Sequence, residues 1–154
     1  MGLVALQFAG LFLAGLLAGE EFVVRWGVQP SISSLDDHSH LRARQALVRR
    51  LRILVPIIML PTAILGVLVL ILVGGGAGAG FRWAGTIAIV AFLLFSFAGT
   101  VPLNIRVNDW DVDNPPADWK DVVRRWQLID VYRSSAALLA FIFYLIAVAL
   151  ELTT

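Results

Sequence analysis

The chain has 154 residues, of which 59% are hydrophobic and 15% charged, with a formal net charge of +1 and no cysteine. That is one domain's worth of chain, and it is more apolar than the roughly 45–50% typical of soluble domains. A charge this close to zero gives no electrostatic footprint for nucleic acid, and the missing cysteine excludes disulfide and thiolate chemistry.

The apolar residues come in blocks, with 3–19, 53–73, 83–105 and 134–150 all free of charge. A helix over 53–73 is about 31 Å long, matching a hydrocarbon core of about 30 Å. The expectation is an all-α integral membrane protein, an up-down four-helix bundle forming a single domain, with spans over about 3–24, 53–73, 82–104 and 131–151. The first block lacks a basic leader and runs into Glu20-Glu21 instead of a small-residue cleavage site, so it reads as a retained helix. On it Gln7, Gly10, Ala14, Ala18, Glu21 and Arg25 share one stripe. Small residues suit close packing, so Glu21 is expected inside the bundle and Glu20 at the lipid rim. A carboxylate at this depth is either paired with Arg25 at the interface or functional, and the sequence leaves both readings open.

Pro30, Ser31, Ser33 and Ser34 mark a connection, and Asp36 or Asp37 caps a second helix starting near Ser39. Its first turns, 41–52, are basic and amphipathic, and Pro56 and Pro61 are expected to kink it. His40 and Arg44 share an inward face with Leu47 and Leu51, while His38 reads as a loop residue. The His-x-His spacing is weak evidence for a metal. A mixed site of Glu21, His40 and Asp130 is chemically better suited, yet the Glu-x-x-His pairs of di-iron bundles are missing.

The glycine-rich stretch 74–80 is a flexible turn without the Lys-Ser/Thr of a phosphate loop. A third helix is expected over 82–104, with Pro102 freeing a backbone carbonyl near Asn104. Asp109, Asp111 and Asp113 imitate an EF-hand start, but Asn114 replaces its glycine and Lys120 its bidentate glutamate, so solvated turn residues are expected. Asp118 and Asp121 resemble a capping pair for the last helix, which spans about 51 Å if it runs over 118–151. On it Trp126, Asp130 and Arg133 share one face. With Asn104 they form one expected wall of a pocket, Glu21 supplying the other wall and His40 lying above.

Of the twelve Lys and Arg, eleven lie between spans one and two or between spans three and four, and only Arg82 lies on the opposite side. The positive-inside rule then puts both termini outside the cytoplasm, in a multi-pass protein of the plasma or inner membrane.

Pro102-Leu103-Asn104 ends the third span, Trp110 and Trp119 punctuate the next loop, and Arg124-Arg125-Trp126 with Arg133 opens the fourth span. This pattern resembles the anthrone oxygenase-like family of small four-helix membrane proteins. The first helix reaching Glu20-Glu21 and the 41–56 stretch are similar to a bacterial branch of it. The resemblance covers essentially the whole chain and is sharpest over 101–133. It implies a cofactor-free oxygenase that deprotonates an apolar, anthrone- or phenol-like substrate drawn from the bilayer so that O2 can attack the anion. Glu21 or His40 is then the base, Arg133 and Asn104 stabilise the oxyanion, and Trp110, Trp126 and Asp130 bind the substrate. Two other readings stand beside it: a non-catalytic lipid- or partner-binding protein held by Glu21–Arg25 and Asp130–Arg133 pairs, and a metal-dependent oxidoreductase. Expected partners are membrane lipid and an apolar small molecule, not nucleic acid, and a homo-oligomer is left open.

Overall fold

The computed structural model of the protein describes residues 2–153. Among them are four long apolar helices and no strand: α1 Gly2–Ser33, α2 Asp37–Val73, α3 Ala79–Asn108 and α4 Trp119–Leu152. Each is long and apolar enough to cross a bilayer, and the chain is a multi-pass four-helix membrane bundle. Consecutive helices are neighbours and α4 closes back on α1, so each helix packs chiefly on two others.

The helices extend beyond the expected spans at most of their ends, and the differences have local causes. In α1 the chain stays helical through Pro30 to Ser33, where a connection was expected, and turns only at Ser34 and Leu35. A π turn over Val24–Val28, in which the Gln29 N–H reaches the Val24 carbonyl, precedes Pro30. The same device recurs in α3: a π turn over Phe95–Thr100, with the Val101 N–H reaching the Ser96 carbonyl, precedes Pro102. Proline has no N–H for the carbonyl four residues back. Widening the preceding turn redistributes the carbonyls and lets each helix continue through its proline.

Asp36 caps α2, its Oδ1 accepting from the Ser39 N–H at 3.0 Å, so the helix starts at Asp37. That N–H holds the Asp36 carboxyl below the usual carboxylate range. His38 therefore lies in the first turn of α2, not in a loop, and its Nε2 meets Asp113 Oδ1 at 3.2 Å. The helix runs unbroken through Pro56 and Pro61. Asp118 and Asp121 do not form the expected capping pair. Asp118 pairs with Arg106 at 2.6 Å and Asp121 with Arg124 at 2.8 Å, so both carboxylates are held by cations instead of by backbone N–H groups. The aspartate-rich loop is an ordinary turn, with Asp111 Oδ1 accepting from the Asp113 N–H at 3.0 Å.

Two apolar clusters fill the bundle. Within the bilayer region Ala14, Leu17, Val55, Met59, Ile89, Phe92, Ala137 and Ala140 are buried together. At the end carrying the α3–α4 loop, Leu41, Val107, Trp110, Trp119, Val122 and Val123 form a second cluster that caps the bundle. At the other end Gly74 and Gly76 adopt positive φ (67° and 107°), which only glycine takes without strain. Arg82 secures that turn by donating to the Gly74 and Gly75 carbonyls at 2.8 and 2.6 Å, and it pairs with Glu151 near the end of α4.

The outer faces carry exposed Phe12, Ile57, Ile71, Ile87 and Leu94, as a lipid-facing surface requires. Without a hydrophobic drive between helices in lipid, association rests on close packing and hydrogen bonds. Gly85 shows this: a Cβ there would lie 2.6 Å from the Tyr144 ring, whose hydroxyl shares a 3.2 Å hydrogen bond with Thr86 Oγ1. Gly85→Ala is expected to destabilise the detergent-solubilised protein by about 1–3 kcal/mol through overpacking. Gly80→Ala, whose Cβ would meet nothing within 4 Å, should shift stability by less than about 0.5 kcal/mol. Thermal unfolding of the two variants side by side checks the packing, and equal midpoints would contradict it.

Candidate functional site

The centre of the site is a buried ion cluster. The small-residue stripe of α1 faces inward as its spacing predicts, with Gly10, Ala14, Ala18 and Glu21 all buried. Glu21 is 0% exposed, and its Oε1 lies 3.0 Å from Arg133 Nη2 on α4. The same nitrogen donates to Asp130 Oδ1 at 3.0 Å, so two carboxylates meet one guanidinium. Arg133 is itself buried, with its guanidinium 5.4 Å above the Phe92 ring.

The Glu21–Arg25 pair weighed from the sequence does not form. Arg25 belongs to the π turn that starts at Val24. It donates instead to the Ser134 and Ser135 hydroxyls at 3.1 and 3.0 Å and stacks on Trp26. Glu20 also departs from expectation. Both its carboxylate oxygens are buried and its carboxyl meets that of Glu21, instead of lying at the lipid rim. The two glutamates thus bring their carboxyls inward beside Asp130 and Arg133.

Above the cluster, Trp126 is 2% exposed and donates from Nε1 to Asn104 Oδ1 at 2.7 Å. An indole N–H only donates, so the Asn104 oxygen must face it and the amide N–H groups remain for other partners. The Arg44 guanidinium lies 5.0 Å from the centre of the Trp126 ring. It is fixed there by Nη2 donating to Gln29 Oε1 at 2.9 Å and Nε donating to His40 Nε2 at 3.2 Å. His40 Nε2 is therefore the unprotonated ring nitrogen in this arrangement. Neither Arg44 nor Gln29 was singled out as part of the site, yet they hold its upper face.

Beside this polar column is a cavity of about 170 Å3 between α2, α3 and α4. A single water needs only about 10–15 Å3 of such space, so the cavity has room for a ligand. Val55, Pro56 and Met59 of α2 give it an apolar wall, and Trp126 and Arg133 its floor. The α3 wall is polar: Ser96, Thr100, Asn104 and Asn108, four residues apart in turn, all line it. That ladder is visible in the sequence as a helical i, i+4 pattern, but only Asn104 was picked out from it. Ser96 Oγ, Arg133 Nε and Asn108 Oδ1 are buried and have no hydrogen-bond partner among the described residues.

Of the seven residues expected at the site, the structure brings Asn104, Trp126 and Arg133 to the cavity. Glu21 and Asp130 stand directly behind Arg133. His40 does not join them. It faces a separate open depression with Trp119, Lys120 and Arg124, because it lies in the first turn of α2, beyond the layer of Arg44 and Trp126. Trp110 does not line the cavity either. It packs in the capping cluster, where its carbonyl accepts from Gln45 Nε2 at 2.9 Å. No group of three or more His, Cys, Asp or Glu side chains is arranged to hold a metal among the described residues, and the mixed Glu21–His40–Asp130 site does not assemble.

Removing the guanidinium takes away the cation that Glu21 and Asp130 both contact. Arg133→Gln is expected to cost about 3–5 kcal/mol, the usual penalty for breaking a buried pair by one partner. Exposed Arg125→Gln should have little effect. Unfolding midpoints in detergent test this, and a loss no greater than that of Arg125→Gln would remove the cluster from the stability of the bundle.

A family model described as anthrone oxygenase matches residues 45–143. No curated protein and no solved structure matches the chain. The matched stretch covers most of α2, all of α3 and most of α4, and so contains the polar ladder, Trp126, Asp130 and Arg133. With well over half of its length matched, and the cavity walls inside the match, the chain belongs to the anthrone oxygenase family.

Proposed function

We propose that the protein is a membrane-embedded oxygenase that oxidises an anthrone- or phenol-like aromatic with O2. One observation carries this reading: the cavity is apolar where Val55, Pro56 and Met59 of α2 line it and presents hydrogen-bond donors from Arg133, Asn104 and Ser96. A flat aromatic body fits the apolar wall, and a carbonyl or phenolate oxygen is what such donors recognise. Family membership supports oxygenase-type chemistry in the same cavity.

In this reading the substrate oxygen binds at Arg133 and Asn104, and the substrate gives up one proton to become an electron-rich anion. Glu21 is the base. Glu20, Glu21 and Asp130 bring three carboxyls to the one guanidinium of Arg133, so the cluster has room to take up the substrate proton. O2 adds to the ring carbon of the anion, forming a C–O bond, and a proton completes the hydroperoxide. Loss of water from that carbon breaks the O–O bond and leaves a carbonyl. The balance is one ring CH2 and one O2 giving one C=O and one H2O. The protein's part is to bind the anion, hold the proton and keep bulk water out. No cofactor enters this scheme.

Oxygen uptake by purified protein in lipid discs, with an anthrone as substrate, is expected at one O2 per quinone formed. Glu21→Gln should lower turnover by at least two orders of magnitude in folded protein, as removal of a general base does. Asp109→Asn, at the outer end of the cavity, should leave it within a few-fold. The reverse pattern would move the base to Asp109. No anthrone-dependent uptake by the folded wild type would contradict the reading and favour a binding role.

A further inference from the structure

The cavity reaches the outer face of the bundle beside Phe97, Val101 and Ile105, which line it and are exposed. α3 packs on α2 along Ala79–Leu94 and again along Val101–Asn108, but its π turn, Phe95–Thr100, leans on α4 instead. A Cβ on Gly99 of that turn would lie 2.7 Å from Ile129 Cγ2, so glycine is what lets the turn approach α4 and withdraw from α2. The gap this leaves is rimmed by Phe97, Val101 and Ile105, all of them exposed and apolar. Their outer faces continue the lipid-facing surface of α3. Behind the rim, Ser96 Oγ and Arg133 Nε are buried and unpartnered. Arg52 and Asp109 line the cavity only at its end nearest the α3–α4 loop.

We propose that the ligand enters sideways from the hydrocarbon, between α2 and α3 at the π turn, with its oxygen leading toward Ser96 and Arg133. The proposal rests on the reading of this cavity as the ligand site, and it defines the ligand as an uncharged molecule dissolved in the bilayer, apolar at the rim and carrying an acceptor oxygen. Such a molecule has no reason to pass through water: leaving hydrocarbon costs about 25 cal/mol for each Å2 of apolar surface exposed. The rim matches hydrocarbon, and donors appear only past it, so the polar end is desolvated inside the protein, where partners are waiting.

The chain has no cysteine, so single thiols report without background. Ser96→Cys puts a thiol at the inner end, and Asn108→Cys puts one near the loop end. In lipid vesicles, a neutral bilayer-soluble N-cyclohexylmaleimide is expected to label Ser96→Cys at least ten times faster than a sulfonated, water-confined maleimide does. Asn108→Cys should react with both. Adding Val101→Trp to Ser96→Cys, which fills the rim, should slow labelling by the bilayer-soluble reagent several-fold while leaving Asn108→Cys labelling unchanged. Equal rates for the two reagents at Ser96→Cys, no reaction there with either, or no effect of the rim substitution would each overturn the lateral route. Protection by excess anthraquinone reads the ligand separately. Labelling as expected without protection would overturn the aromatic-ligand reading and leave the route standing.

Discussion

Arg133 is the constraint on which the rest of the structure depends. A guanidinium this deep in an apolar bundle persists only with partners, because an unpaired charge in hydrocarbon is costly. Here Glu21 from α1 and Asp130 from its own helix meet it at 3.0 Å each. Satisfying that charge fixes the rotation of α1 about its axis and explains why the residues leading to Glu21 are Gly10, Ala14 and Ala18. Only small side chains let the backbones approach closely enough for Glu21 to reach across. The same guanidinium forms part of the cavity floor, so one residue joins the stability of the bundle to the chemistry of the pocket.

The two π turns do the remaining positioning. Each precedes a proline, and each shifts the helical phase of the residues on its C-terminal side. In α1 Arg25, within the turn, donates to the Ser134 and Ser135 hydroxyls, and Glu21 meets Arg133. In α3 the turn moves the chain toward α4 and opens the cavity against α2. A regular helix in either place would satisfy its carbonyls differently and close one of these features. Single π turns inside α-helices are common at functional sites.

Much of this was legible in the chain. The four spans follow from uncharged blocks, the inward face of Glu21 from the small-residue stripe, and the grouping of Trp126, Asp130 and Arg133 from helical spacing. The suspected family rested most sharply on residues 101–133, all of which lie inside the matched region. What escaped depends on geometry that spacing does not encode. The Glu21–Arg25 pairing follows from helical spacing, which does not show that the Ser134 and Ser135 hydroxyls and Arg133 offer each residue another partner. His40 shares a helix face with Arg44 and Trp110 belongs to the loop pattern of the family, but the bundle's height separates both from the cavity: one faces the head surface and the other packs in the cap. Glu20 illustrates the limit of assigning a residue by its helix face, since a long side chain can turn its carboxylate inward. The Ser96–Thr100–Asn104–Asn108 ladder was readable all along. Its hydroxyls sit in so apolar a run that they pass for ordinary helix polar groups bonded to their own backbone, as Thr100 is to the Ser96 carbonyl.

In the proposed function the buried cluster aims Arg133 at a ligand oxygen in the cavity between α2, α3 and α4. The most direct measurement is an experimental structure of the protein in lipid discs saturated with an anthraquinone. The expected result places the rings between Met59 and the α3 ladder, with one quinone oxygen within about 3.2 Å of the Arg133 guanidinium and the Glu21 and Asp130 contacts kept. A quinone bound elsewhere, or lying in the cavity with its oxygens turned away from Arg133, would contradict it.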